Sequence, residues 1–116
     1  MATTPGQNII DGVILSATLT EIYLVKGTLL RTKVDTIAFT NFHQTLNSFL
    51  TVQIISKGGS AGDAKLLINA KELRSGETYL APELSGQGIK EGGTIQAFSS
   101  VELSINCTAT GTEYSS

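Results

Sequence analysis

Hydrophobic and polar residues alternate along most of the chain. From Val101 to Thr110, Val101, Leu103, Ile105, Cys107 and Ala109 share one parity, and Glu102, Ser104, Asn106, Thr108 and Thr110 share the other. Successive side chains of a strand point to opposite faces, so this period of two predicts a half-buried antiparallel strand. Ser48–Lys57 repeats it, with Leu50, Val52 and Ile54 inward and Thr51 and Gln53 outward. Phe49 and Ile55 fall on the outward parity, which implies that this face is partly covered too.

Further strands are predicted at Gly12–Ala17, Glu21–Lys26, Leu30–Phe42, Lys65–Ala70, Glu77–Ala81 and Gly93–Ser99. The long Leu30–Phe42 run is rich in β-branched and aromatic residues, which suit a pleated surface. Turn residues punctuate these runs at Lys26-Gly27, Lys57-Gly58-Gly59-Ser60, Arg74-Ser75-Gly76, Ser85-Gly86-Gln87-Gly88 and Glu91-Gly92-Gly93. Helical periodicity never extends beyond about two turns, although Leu66–Leu73 has room for a short helix. About eight short strands between Gly-rich turns predict an all-β protein, an antiparallel two-sheet β-sandwich of jelly-roll type. At 116 residues there is room for one core. The expected organisation is a polar N-terminal arm over 1–11, the sandwich over 12–110 and a C-terminal tail over 111–116.

Composition narrows the function classes. Apolar residues make up 41% and charged residues 16%, so the chain folds, but its surface polarity rests on Thr, Ser, Asn and Gly. That composition suits a surface covered by neighbours. The net charge of −2 and the scatter of Lys and Arg along the chain speak against nucleic acid, which needs clustered cations. Only Arg31 and Lys33 stand close together, on one strand face. A single cysteine forms no internal disulfide. Met1 to Asn8 lacks the charged and apolar regions of a signal peptide, and no apolar stretch approaches the roughly 18 residues of a membrane helix. The expectation is synthesis in the cytoplasm and no membrane partner.

Each candidate for chemistry has a plainer account. Gly58-Gly59-Ser60-Ala61-Gly62-Asp63-Ala64-Lys65 superficially resembles a phosphate-cradling loop, but Asp63 stands where the lysine belongs and a strand follows. His43 is the sole histidine and has no nucleophile at a motif-like spacing. It reads as a loop or interface residue, and a metal shared between subunits at a symmetric contact stays open. Cys107 shares parity with Leu103 and Ile105, so it is expected to be a small buried hydrophobe. Asn106-Cys107-Thr108 matches a glycosylation sequon only in form.

The carboxylates Asp35, Asp63, Glu72, Glu77, Glu83, Glu91, Glu102 and Glu113 form no tight pair in sequence. Glycoside hydrolysis needs two carboxyls about 5–10 Å apart, and sugar platforms are usually aromatic. Here Trp is absent and Tyr23, Tyr79 and Tyr114 are dispersed. No residue is assigned a catalytic, cofactor-binding or metal-binding role.

Glu21-Ile22-Tyr23-Leu24-Val25-Lys26-Gly27-Thr28 resembles the "polar-x-Tyr-x-Val-Pro-Ala-Gly" strand and turn found early in small virion proteins of tailed bacteriophages. A strand ending near Asn41 and its partner Leu50-Thr51-Val52-Gln53-Ile54 follow in the same order. Gly76-Glu77-Thr78, the loop Leu84–Gly88 and Ile89-Lys90-Glu91-Gly92-Gly93-Thr94-Ile95-Gln96-Ala97 are similar to that group's late "Leu-x-x-Gly-Asp-x-Ile-x-Ala" hairpin. Gly111-Thr112-Glu113-Tyr114 after the last strand also matches. Lys26 replaces the usual Pro-Ala, and Gly93 stands where Asp is common.

The resemblance covers roughly Glu21 to Tyr114 and carries over no catalytic residue. It implies a non-enzymatic virion component that oligomerises, a trimer among the options. Its location would be the phage particle, as a capsid decoration or cement or head-fibre protein, with a neck, collar or tail part as the alternative. A carbohydrate-binding or adhesion module is the further alternative. The expected partners are other copies of the chain and capsid, neck or tail proteins.

Overall fold

The computed structural model describes residues 2–27, 29–57 and 65–115, with side chains from Gly6 onward. Nine strands run through the described residues: β1 (Ala2–Ile14), β2 (Thr20–Leu24), β3 (Leu29–Asn41), β4 (Ser48–Ile55), β5 (Lys65–Leu73), β6 (Thr78–Leu80), β7 (Gly88–Lys90), β8 (Thr94–Ser99) and β9 (Ile105–Ser115). They form two antiparallel sheets. One has the order β1-β9-β3-β6, with β7 also pairing β3, and the other is β2-β8-β4-β5. With β6 and β7 taken as one interrupted strand along β3, this is the eight-strand interleaving of a jelly roll. The predicted all-β sandwich is therefore what the chain forms.

Inward parity builds the core. Val34, Ile37, Phe39, Ile105, Cys107 and Ala109 from the first sheet meet Leu50, Val52, Ile68, Leu73, Ile95 and Ala97 from the second, all buried. On β3 the inward parity switches between Val34 and Ile37, because a register irregularity lies between Val34 and Thr36. A bulge adds a residue to one strand and lets both runs face the same side. On β4, Leu50 and Val52 point inward as predicted, whereas Ile54 is only half-buried and Ile55 is the buried residue. Ile55 pairs with Thr94, itself buried, at the foot of the sheet.

Four expectations need correction. The predicted strand over Val101–Thr110 starts only at Ile105, because Leu103 takes a φ of 56° and turns the chain. Residues 101–104 alternate by chance, and Leu103 points outward. The short helix allowed at Leu66–Leu73 is not formed, since β5 occupies that stretch as the edge partner of β4. The arm expected over 1–11 is strand from Ala2, and the tail expected after Thr110 continues β9 to Ser115. Ala2 pairs with Ser115, so the two terminal stretches hold each other as one ladder.

Candidate assembly surfaces

The residues singled out for chemistry are dispersed by the fold. His43 lies just beyond β3, where its Nδ1 accepts hydrogen bonds from the amides of Thr45 (3.2 Å) and Leu46 (3.0 Å). The ring thus does the work of a turn-capping side chain, satisfying two amides of the β3–β4 loop. Cys107 is fully buried opposite Phe39, and burial pushes its thiol up to about 12. A thiol so disfavoured as thiolate is inert. The described residues hold no group of three His, Cys, Asp or Glu side chains fit for a metal. Of the Gly58–Lys65 loop, residues 58–64 lie outside the described residues, and Lys65 Nζ donates to Gln87 Oε1 at 3.1 Å.

The three tyrosines sit in three places. Tyr23 shares a hydrogen bond with buried Thr32 (2.7 Å) and donates to Glu113 (3.3 Å). Burial raises its phenol and the Glu113 charge adds to the rise, against a lowering by the Thr32 bond. Tyr79 donates to both oxygens of Glu83, at 2.6 and 2.7 Å, on the opposite flank. The Tyr114 ring lies under the Arg31 guanidinium, 4.3 Å away, near the termini. They form no joint platform for a sugar.

The concavities are shallow. A groove of about 370 Å³ runs between β1 and β2, over Ile9, Ile22 and Tyr23. A hollow of about 390 Å³ lies where Ile54 and Lys57 face Gly88–Gly93. Neither gathers convergent polar groups around an enclosed apolar cavity, the usual form of a small-molecule site.

The outer surfaces offer more. The first sheet presents Thr36, Thr40, Thr78, Thr108 and Thr110, with Thr36 bonded to Thr110 (2.7 Å) and Thr40 to Thr78 (2.9 Å). The second presents exposed Leu24, Phe49 and Leu66, around a buried Gln53 whose Nε2 has no partner.

The loop end of the sandwich, formed by 15–19, 42–47, 74–77 and 100–104, is the most apolar exposed region. Ile14 is 50% exposed, Phe42 48%, Leu46 49% and Leu103 59%. Main-chain bonds hold them side by side: Leu103 N donates to Leu15 O, and Phe42 N to Ser104 O. Below them, buried Asn41 donates to Leu46 O (3.0 Å) and Leu73 O (2.9 Å), while Ser104 Oγ bonds Ser48 Oγ (3.0 Å). The apolar tips stand on a fixed polar base. Leu103 is especially telling, since a left-handed leucine is strained and its side chain faces solvent. The alternation places Leu103 with the core residues, and the left-handed turn before β9 makes it a surface residue instead.

No protein-family model and no curated protein matches the chain. Its fold is similar to solved structures. A chain of the T13 infectious bursal disease virus particle matches over 98% of this chain with a TM-score of 0.59 and 13% identity. This chain spans 31% of that one, about a third of its length. The Gt strain of the same virus matches over 97% of this chain and 31% of its own, at 12% identity and a TM-score of 0.48. A Bacillus endospore appendage, a disulfide-linked pilus, matches over 99% of this chain and 94% of its own, at 13% identity and a TM-score of 0.48. At these identities the likeness concerns the fold.

Proposed function

We propose that this chain is a non-enzymatic structural subunit of a tailed-phage virion, a capsid decoration or cement or head-fibre protein that oligomerises and docks on the particle. The observation that carries this reading is the loop end. Four large apolar side chains stand exposed together there, one on a strained residue, on a sandwich whose concavities are shallow. Contiguous apolar surface of this kind marks protein contacts. The phage resemblance over Glu21–Tyr114 supplies the particle type, and the fold likeness to a virus-particle chain accords with it. A neck, collar or tail position would use the same surface.

The test is sedimentation of the purified chain, alone and with phage heads lacking it. Oligomers and cosedimentation with heads are expected. A chain that stays monomeric and ignores heads and tails overturns the proposal. Labelling of intact particles then separates a head from a neck or tail position.

A further inference from the structure

The strands give this molecule two chemically opposite ends. β3 spans 13 residues, which at about 3.3 Å each reach about 43 Å and so set the long axis of the 47 × 30 × 19 Å molecule. The chain termini meet at one end, where Ala2 and Leu29 both pair with Ser115. The loop end, with Leu103 and Phe42, is the other.

The lysines and arginines are scattered in sequence, but not in space. Lys26, Arg31, Lys33, Lys57, Lys65 and Lys90, six of the eight, lie toward the terminal end and are all exposed. Register places them there. Arg31 pairs with both Tyr114 and Lys90, Lys33 with Thr112, and Lys65 with Ile54 at the foot of β4. Against them stand Glu91 and Glu113, both half-buried. The loop end reverses the balance, with Asp11, Glu72, Glu77 and Glu102 exposed against Lys71 and Arg74. Asp35 accepts from Thr112 beside Lys33, and Glu21 lines the groove that Lys26 and Glu113 also line. Six cations therefore face four carboxylates toward the terminal end, while Glu83 lies between the ends and Asp63 is outside the described residues. Both ends also expose apolar side chains: Ile14, Phe42, Leu46 and Leu103 on the acidic one, Leu24, Leu30 and Leu66 on the basic one.

We propose that copies of this chain associate head to tail, the acidic apolar loop end of one seating on the basic terminal end of the next. This inference rests on the structural-subunit reading and names the partner and the surface. The argument for a second copy is complementarity of charge, with exposed apolar side chains toward both ends to be covered on contact. The two patches differ, so the contact is heterologous and yields a ring or a filament rather than a two-fold dimer. An end of 30 × 19 Å offers about 570 Å² in projection, below the about 800 Å² per partner of a standard interface. Each contact is therefore weak alone, and repetition along a particle strengthens it.

Sedimentation velocity on the full chain tests this. The expected result is reversible oligomerisation that weakens at least about tenfold in Kd between 50 and 500 mM salt, because exposed charges are screened. Leu103→Gly should weaken it at least about tenfold without lowering the unfolding temperature, since glycine accepts the left-handed φ that leucine resists. Two reversal variants complete the test, Asp11→Lys with Glu72→Lys at the loop end and Lys26→Glu with Lys33→Glu at the terminal end. Each should be monomeric alone, and a one-to-one mixture should assemble, because the altered basic loop end of one meets the altered acidic terminal end of the other, and their two unaltered ends also pair.

Oligomers indifferent to salt, to Leu103→Gly and to both reversals overturn the head-to-tail contact and leave the structural-subunit reading standing. A monomer that still binds phage heads does the same. A monomer that binds neither itself nor heads overturns both. A monomer whose terminal end captures duplex DNA or anionic vesicles, lost in Lys26→Glu with Lys33→Glu, overturns the contact in favour of a polyanion.

Discussion

The two long flanks of the sandwich are closed by different means. On the flank between β5 and β6, the chain covers its own core. The loop from Ala81 to Gln87 folds over the gap and drives Leu84 into full burial. It is pinned to β3, with Gly86 N donating to Val34 O (2.7 Å), Val34 N to Gln87 O (2.8 Å) and Ser85 Oγ to Asp35 O (2.9 Å). Lys71 of β5 lies 4.6 Å over the Tyr79 ring and ties the sheets together. The flank between β1 and β2 has no such loop. Ile9, Ile22 and Tyr23 are half-buried along an open groove, and β1 shifts register three times along β9. Bulges make an edge a poor template for uncontrolled strand pairing. One flank is sealed by packing, and the other is left accessible but irregular.

Truncation must therefore hurt the two flanks unequally. Leu84→Ala should cost about 2–5 kcal/mol, the range for a buried leucine whose cavity cannot fully collapse. Ile22→Ala on the open flank should cost about 1 kcal/mol, because a half-buried side chain loses less transfer free energy. Denaturant unfolding of both variants measures the difference. Equal costs would mean that the loop does not seal the flank.

The open flank has one point where it is as unforgiving as the closed one. Gly111 lies in β9 between β1 and β3, and a Cβ there would stand 2.8 Å from the Lys33 carbonyl oxygen and 3.0 Å from Ile9 Cδ1. Backbone cannot yield as a side-chain tip can. Gly111→Ala is therefore expected to cost about 1–3 kcal/mol, as overpacking does. Amide exchange should report the loss first at the β9–β3 ladder around Val34.

The fold was legible where packing and local pattern agree. Leu50 with Val52, and Ile105 with Cys107 and Ala109, alternate because one sheet face is buried, and that signal survives in sequence. Three features did not survive. The strand character of 2–11 comes from pairing with β9, not from its own residues, which include Pro5 and Gly6. Leu84 looks like any residue of a Gly-rich loop, since nothing local says that a flank needs covering. The grouping of Lys26, Lys57 and Lys90 at one end follows from strand order alone, and lysines far apart in sequence carry no mark of it. Of the surfaces argued for above, the outward Phe49, the outward Thr108 and Thr110 and the shared face of Arg31 and Lys33 were anticipated; Leu103 was placed on the wrong side because the turn at residue 103 is invisible to a parity count.

A smaller effect separates the flanks through their tyrosines. Tyr23→Phe leaves the buried Thr32 hydroxyl without its partner, a loss of about 1–2 kcal/mol. Tyr79→Phe leaves only a half-buried carboxylate that water can reach, so less than about 1 kcal/mol is expected. Their pH dependence sharpens this. Burial first, and then Glu83, pushes the Tyr79 phenol up from 10.0 to about 12. A folded pKa above the unfolded one favours the neutral phenol, so this contribution is complete below pH 10 and is lost as pH rises toward 12. Tyr79→Phe should flatten the stability profile in that window, with the part due to Cys107, raised from 9.0 to about 12, remaining. An unchanged alkaline slope would show that neither burial nor Glu83 raises the Tyr79 phenol.

The least consequential contact should be the one that looks most like a clasp. Lys57 and Glu91 form an ion pair at 3.2 Å across the foot of the closed flank, but the lysine side chain is 69% exposed. Exposed pairs lose side-chain entropy and are screened, so Lys57→Ala should cost no more than about 0.5 kcal/mol, and less at high salt. Part of even that belongs to packing, because the lysine stem lies against Gly92, where an added Cβ would come within 2.6 Å of Cγ and Cδ. Lys57→Met keeps the stem and removes the charge, and urea unfolding should place it between wild type and Lys57→Ala. If Lys57→Met instead matched the loss in Leu84→Ala, charge rather than the buried leucine would be holding the flank shut. The contrast between the flanks would then be electrostatic in origin.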